Sequence, residues 1–231
     1  MRGEFYLTPI QTTLCKLRVL VPLWQKKLPL KKEIYLIRHG ETDFNNLGIV
    51  QGRGVDSSIN EKGIGQAQKF FDVYKNTGFE KIYVSLLKRT EETISPFKQL
   101  NIPIEKHVGL DEISWGIHEG QNSGDTFKDF YRIIHLWTEG DLDAKMEAGE
   151  SPLEVQNRQL EFLKVLKNAP EQKVLICSHG RAIRILLCTM LNKPLNEMDS
   201  FPHHNVSLYK LNYEDNGFTL ETFNDIAHLN G

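Results

Sequence analysis

Cysteine is scarce. Cys15, Cys177 and Cys188 are odd in number, widely spaced and form no CxxC pair. This excludes a disulfide framework and fits a reducing, cytoplasmic compartment. Cys177 lies inside an apolar run, where a free thiol behaves as a small hydrophobe. Long hydrophobic runs are also missing: no stretch reaches the roughly 18 apolar residues that a membrane span needs. Charge of one sign is not in excess, with 28 Lys and Arg against 30 Asp and Glu and a net charge of −2. No global field therefore draws in nucleic acid or a membrane surface, and an anionic substrate must be held by locally placed cations. There are no internal repeats and no low-complexity tracts.

Residues 1–33 are the exception in charge. They carry seven Lys and Arg against Glu4 and Glu33. Their best apolar stretch, VLVPLW, is short and holds Pro22, and an early positive stretch is missing, so a secretory leader is not expected here. Residues 1–31 are expected to be a loosely ordered extension, with a basic surface-binding arm as the alternative. Residues 32–231 are expected to form one domain.

What remains is ordinary globular composition, 40% hydrophobic in 231 residues, patterned as alternating strands and helices. EIYLI (33–37), residues 81–84, 102–108 and KVLIC (173–177) read as short buried strands. Ala67, Phe70, Phe71 and Tyr74 recur at helical spacing between a capping Asn60 and Gly78. A helix from about Leu87 stops near Pro96. Phe127, Tyr131, Ile134 and Trp137 predict another, and these rings, with Trp115, are assigned to the core. A further helix runs from Pro152, suited to a first turn, to Lys167, and one follows Gly180. VSLYKLNY and FTLETFN predict a C-terminal hairpin. Residues 43–60 and 109–124 read as loops. The pattern predicts a three-layer α/β/α sandwich with a mostly parallel central sheet.

One local pattern occurs twice: a buried strand running into His-Gly, first at Arg38-His39-Gly40 and again at Ser178-His179-Gly180. Ligands of open α/β sheets bind beyond the carboxyl ends of strands, so two such ends can place two imidazoles in one crevice. Each glycine lets a ligand approach the backbone. The helix after Gly180 offers free N–H groups to an anion. Imidazoles beside arginines suit a tetrahedral oxyanion, because the guanidinium fork gives paired charge-assisted hydrogen bonds. A zinc site would want three or four His, Cys or carboxylate ligands, and no HxH or HExxH motif is present. The expected chemistry is phosphoryl transfer without metal or cofactor.

The residues also resemble the histidine phosphatase superfamily, the phosphoglycerate mutase-like group. RHGETDFN (38–45) matches its opening motif. QGRGVDSSINEKGIGQA (51–67) follows, with Ser58 where the group usually has Pro. Then come SLLKRTEET (85–93), with Leu86 for Pro, LDEISWGIHEG (110–120), GES (149–151) with Arg158, and SHG (178–180). The likeness runs over about residues 32–212 in the family's motif order. It implies that His39 is the nucleophile and becomes phosphorylated. It implies that Arg38, Arg89 and His179 hold the non-bridging oxygens. Asn45 adds a neutral donor, and Gln51, Gly52 and Gly180 line the substrate side. Glu112 serves as general acid and then as base, with Asp111 and Glu119 as rivals in the same loop. His118 is placed near the pocket, and His107, His203 and His204 at the surface or in the core.

A mutase needs extra cations to grip a second anionic group. Residues 121–148 hold three cations (Lys128, Arg132, Lys145) against six carboxylates. The expectation is therefore a phosphatase acting on a small phosphorylated metabolite, with cofactor-dependent phosphoglycerate mutase as the alternative. A non-catalytic module on this scaffold should have lost His39, Arg38 or Glu112, and all are present. A nucleic-acid binder would need a basic face on the domain as well. Oligomeric state is open.

Overall fold

In a computed structural model of the chain, residues 31–230 are described. The basic N-terminal extension and Cys15 lie outside them. Six strands form one sheet: β1 (Lys32–Arg38), β2 (Lys81–Val84), β3 (Ile104–Lys106), β4 (Lys173–Ser178), β5 (Leu208–Glu214) and β6 (Gly217–Asp225). Their order is β3-β2-β4-β1-β5-β6. The first four of these run parallel, and β5 and β6 add an antiparallel edge.

Alternation across the sheet explains why the central strands are apolar without interruption. Ile34 and Leu36 of β1 join Val174 and Ile176 of β4 in one core cluster. There they meet α5 (Pro152–Asn168) through Val155, Phe162 and Leu166, and α6 (Gly180–Met190) through Ile183 and Leu187. Tyr35, Ile37, Leu175 and Cys177 face the other side. That cluster contains Phe70 and Phe71 of α2 (Glu61–Tyr74), with Ile94 and Phe97 just past α3 (Lys88–Thr93). Strands buried on both faces need apolar residues at every position. The fold is the three-layer sandwich that the alternation implies.

Local signals account for most boundaries. Asn60 caps α2 by accepting from the Gly63 N–H. Ser151 and Glu154 form a capping box around Pro152 at the start of α5. Asp215 and Asn216, with φ of 51° and 64°, make the two-residue turn between β5 and β6.

The sequence-based boundaries need four corrections. The loop 43–60 contains a one-turn helix, α1 (Asp43–Asn46), because Thr42 and Asn45 form a capping box. The strand expected over 102–108 shrinks to three residues at the sheet edge, where only β2 is available to pair. The loop 109–124 contains a 3₁₀ turn at Gly116–His118, and another turn, Val108–Leu110, leads into it. The helix α4 (Gly124–Thr138) starts three residues before Phe127, on a Ser123 cap.

Two glycines set how closely α2 approaches the end of β1. A Cβ at Gly40 would lie 2.8 Å from the Gly63 carbonyl oxygen, and one at Gly63 would lie 2.3 Å from that of Glu41. Gly65, two residues on and so on the other side of α2, faces open space. Helix propensity alone favours alanine at both positions. The expected outcome is opposite signs: Gly65→Ala stabilises by up to about 1 kcal/mol, whereas Gly63→Ala destabilises by about 1–3 kcal/mol through overpacking. Urea denaturation of the two variants checks this. Stabilisation by both would show that the α2–β1 contact is not close-packed.

Candidate active site

The parallel register pairs Arg38 with Ser178, so the residues that follow, His39 and His179, leave the sheet side by side. The His39 N–H continues the ladder to the Ser178 carbonyl at 2.9 Å. The two imidazole centroids are 5.1 Å apart. His39 Nδ1 donates to the Gly40 carbonyl at 2.7 Å, which leaves its Nε2 with a lone pair. Burial, reinforced by the Arg38 and Arg89 guanidiniums, holds the His39 pKa well below its ordinary value. The ring is therefore neutral at physiological pH.

A cavity of about 280 Å³ opens at this point. Of the residues expected at the site, Arg38, His39, Asn45, Gln51, Glu112 and Gly180 line it. Arg38 Nε is buried and has no hydrogen-bond partner among the described residues. Burial pulls the Arg38 pKa down to about 10, so the guanidinium stays charged at neutral pH. Asn45 Oδ1 accepts from Asn205 Nδ2, which also donates to the His39 carbonyl. Gln51 Nε2 donates to Thr42 Oγ1 at 2.7 Å.

Gly52, Arg89 and His179 do not line the cavity. Arg89 is fully buried and gives three of its five N–H groups to protein: Nε to His179 Nδ1 at 3.1 Å, Nη1 to the Val55 carbonyl and Nη2 to the Gly52 carbonyl. With Nδ1 accepting, His179 donates from Nε2 to Ser85 Oγ at 2.8 Å. Burial and the nearby Arg89 push its pKa well down too. In this structure Arg89 and His179 back His39 through charge and packing.

The three carboxylates of the 110–120 loop separate cleanly. Asp111 accepts from the Leu86 N–H and pairs with Arg53. Glu119 accepts from Ser114 Oγ and the Trp115 N–H. Neither lines the cavity. Glu112 does, and its carboxylate sits on the N-terminus of α6. Oε1 accepts from Ile113 and Ala182 N–H at 2.9 Å each, and Oε2 from Arg181 N–H at 3.2 Å. His179, the N-cap residue, makes no side-chain cap bond, so Glu112 takes that role from a distant loop. Arg158 of α5 fixes this loop by donating to the Val108, Asp111 and Glu112 carbonyls.

Sequence reasoning missed much of the lining, His203, Arg181, Phe127 and Tyr131 among it. His203, set aside as surface or core, accepts from Arg38 Nη1 through its Nδ1 at 3.2 Å. Burial and the guanidiniums of Arg38, Arg184 and Arg181 push its pKa down to about 2. Its ring lies where a Cβ on Gly180 would stand, 2.7 Å from His203 Nε2. Arg181, next to the Ser178-His179-Gly180 motif, lines the cavity, pairs with Asp199 at 2.7 Å and stacks over Trp137. Phe127 and Tyr131, expected in the core, are exposed and line the cavity instead. Trp115 is buried but also reaches the lining, and Trp137 is in the core as expected. His118 bonds Asp129 and stays out of the lining. His107 caps a turn through the Gly109 N–H, and His204 meets Asn224. Among the described residues no group of three or more His, Cys, Asp or Glu is placed to hold a metal ion. No helix among them is long and apolar enough to cross a membrane.

Known proteins resemble the chain in sequence and in fold. The sequence pattern described as histidine phosphatase superfamily (branch 1) matches residues 34–226. A protein of Proteus mirabilis (strain HI4320) named "Probable phosphoglycerate mutase GpmB" is 30% identical over 206 residues, covering 85% of this chain and 94% of its own. The solved structure of Bacillus stearothermophilus YhfR is 28% identical, with a TM-score of 0.76, over 86% of this chain and 99% of that one. The mycobacterial glucosyl-3-phosphoglycerate phosphatase, 22% identical over 85% of this chain and 100% of its own, shares the fold with a TM-score of 0.74. With motif, fold and paired histidines in agreement, the chain belongs to the histidine phosphatase superfamily.

Proposed function

We propose that the protein is a phosphomonoester phosphatase that acts on a small phosphorylated metabolite through a phosphohistidine at His39. The observation that carries this reading is the buried, unpartnered Arg38 Nε beside a neutral imidazole whose Nε2 lone pair is free. A buried N–H without a partner is costly, and a phosphoryl oxygen satisfies it. In the first displacement the His39 Nε2 lone pair forms the N–P bond as the P–O bond to the leaving group breaks. Glu112 gives the leaving oxygen its proton. Oε2, with the longer contact, can carry that proton while Oε1 keeps both of its bonds. In the second displacement water attacks phosphorus, Glu112 takes a proton from it, and the N–P bond returns its electrons to Nε2. The Nδ1–H stays on the Gly40 carbonyl throughout and fixes the tautomer. Arg38 holds the non-bridging oxygens. Arg89 supports it by charge, and His179, which lies between Arg89 and Ser85, supports His39 by packing.

The mutase alternative is kept because of the relative named for that activity. It fits less well. Lys128, Arg132 and Lys145 pair with Asp125, Asp129 and Glu154 at the surface, and none lines the cavity. Arg181 does line it, but it is already engaged by Asp199, which it shares with Arg184. Efficient isomerisation of 3-phosphoglycerate with a bisphosphate primer, and weak hydrolysis of an aryl phosphate, would overturn the phosphatase reading.

Substituting His39 with Ala should lower turnover at least about a thousandfold, as loss of a nucleophile does, and abolish trapping of a phosphoenzyme. Near wild-type rates would remove His39 from this role. For Glu112→Gln the loss should be about a hundredfold or more for alkyl phosphates and much smaller for aryl phosphates, whose leaving groups need little protonation. Equal slowing of both would mean that Glu112 only holds α6 in place.

The buried imidazoles also give a pH dependence with a definite sign. His39, His179 and His203 are held neutral in the folded state, while in the unfolded chain they protonate near pH 6.5. Below that pH the unfolded state takes up protons that the folded state does not. Stability should therefore fall on acidification, by up to about 1.4 kcal/mol per pH unit for each imidazole. Urea denaturation at pH 7, 6 and 5 measures this. His203→Gln should lose less stability over that range than wild type, and an unchanged slope would show that His203 titrates in the fold.

A further inference from the structure

The cavity lining divides by chemistry, and the phosphoryl reaction uses only its polar part. The apolar part is mostly aromatic: beside Ile49 and Val50 it has Phe44 from α1, Trp115 from the loop after Glu112, and Phe127, Phe130 and Tyr131 from α4. Phe130 packs on Trp115 with centroids 4.7 Å apart and meets Tyr131 edge-on at 5.9 Å, so three rings form one connected surface. Phe127 and Tyr131 lie one turn apart on α4 and are 36% and 67% exposed. Two large rings left open to solvent at a cavity are an unfilled apolar surface, the kind that binds the apolar body of a ligand.

The wall also sits where the leaving group must go. Glu112 delivers the proton to the leaving oxygen, and Trp115 is three residues further along the same loop. Whatever is bonded to that oxygen lies in the same cavity that Glu112 and the rings line together. The one guanidinium in the lining besides Arg38 is Arg181, and it is held in place by Asp199, which it shares with Arg184, and by stacking on Trp137. Flat rings favour flat partners, by offset or edge-to-face stacking.

We infer that the site selects ring-bearing phosphomonoesters, with the ring of the leaving alcohol seated against Trp115, Phe130 and Tyr131 and edged by Phe127. This rests on the phosphatase reading. The substrate class is thus an uncharged, ring-containing alcohol phosphate in preference to a phosphorylated sugar acid.

The test compares 2-phenylethyl phosphate with propyl phosphate, two alkyl esters whose leaving groups have similar acidity, so that the ratio of kcat/KM reports the ring and not the chemistry. Wild type should prefer the phenylethyl ester at least tenfold. The double substitution Phe127→Ala and Tyr131→Ala, at exposed positions, should bring the ratio below threefold whatever the absolute rates. Calorimetry with 2-phenylethylphosphonate and propylphosphonate, whose C–P bonds are not hydrolysed, should show the same preference and the same collapse. A wild-type ratio near one, or a ratio that the double substitution does not move, overturns the inference while leaving the phosphatase reading intact. If neither ester is hydrolysed but the phosphonate preference is present and collapses in the variant, the aromatic wall stands and the phosphatase reading falls.

Discussion

The register of β1 on β4 is the constraint from which the site follows. The two strands are parallel neighbours, and both continue directly into His-Gly. Pairing Arg38 with Ser178 brings the imidazoles to 5.1 Å between centroids. A slip of one residue would move one histidine by about 3.3 Å along the strand axis and turn its side chain to the other face. Slippage is resisted by the core on both faces. Ile34 and Leu36 must stay with α5 and α6, and Tyr35 and Ile37 with α2. The same hydrophobic pattern that folds the sheet thus sets the imidazole that lines the cavity against the one that backs it.

Glu112 couples the site to the fold in a second way. Its carboxylate occupies the positive end of α6, where two backbone N–H groups of that helix and one of its own loop converge on it. A proton carrier must stay within reach of the leaving oxygen, and a long flexible side chain would lose entropy each time it was fixed. Here that ordering is already done by folding. Arg158 anchors the preceding carbonyls, and Asp111 and Glu119 hold the two flanks of the loop, so carboxylates one and seven positions away from Glu112 are structural while it alone faces the cavity.

How much of this was legible depended on whether a residue's role is set by its own segment. His39, His179 and Arg38 stand at the ends of apolar runs, and their placement needs only the strand pattern and the pairing rule for parallel sheets. The layer architecture follows from the same alternation. His203 could not be found this way. It lies in an irregular stretch, 165 positions from Arg38 in sequence, and reaches it because the Val206 N–H closes on the Arg38 carbonyl just before β5 begins. Phe127 and Tyr131 failed for another reason. Helical spacing shows that α4 has apolar positions, but the face that packs on the core carries Ile133 and Trp137. Periodicity counts apolar residues without saying whether their neighbour is a core or a cavity. Arg89 was read as a ligand of the phosphoryl oxygens because of its motif; three of its five N–H groups go to two backbone carbonyls and an imidazole, a set of partners that the motif does not reveal.

That last point bears on how the pocket is charged. Arg38, Arg89, Arg181 and Arg184 crowd the histidines, and Asp199 answers the last two. Guanidiniums stay ionised under burial that strips the proton from an imidazole, since their ordinary pKa is far higher. Desolvation and the neighbouring positive charge therefore act in the same direction on His39: both expel the proton from a ring that must be neutral to attack phosphorus. The field that attracts a phosphate is the field that frees the nucleophile. An arriving dianion weakens that field at the moment it binds, so the tautomer cannot depend on charge alone. The short bond from His39 Nδ1 to the Gly40 carbonyl supplies what charge does not, because it is made by the backbone of β1's own end and persists whatever occupies the cavity.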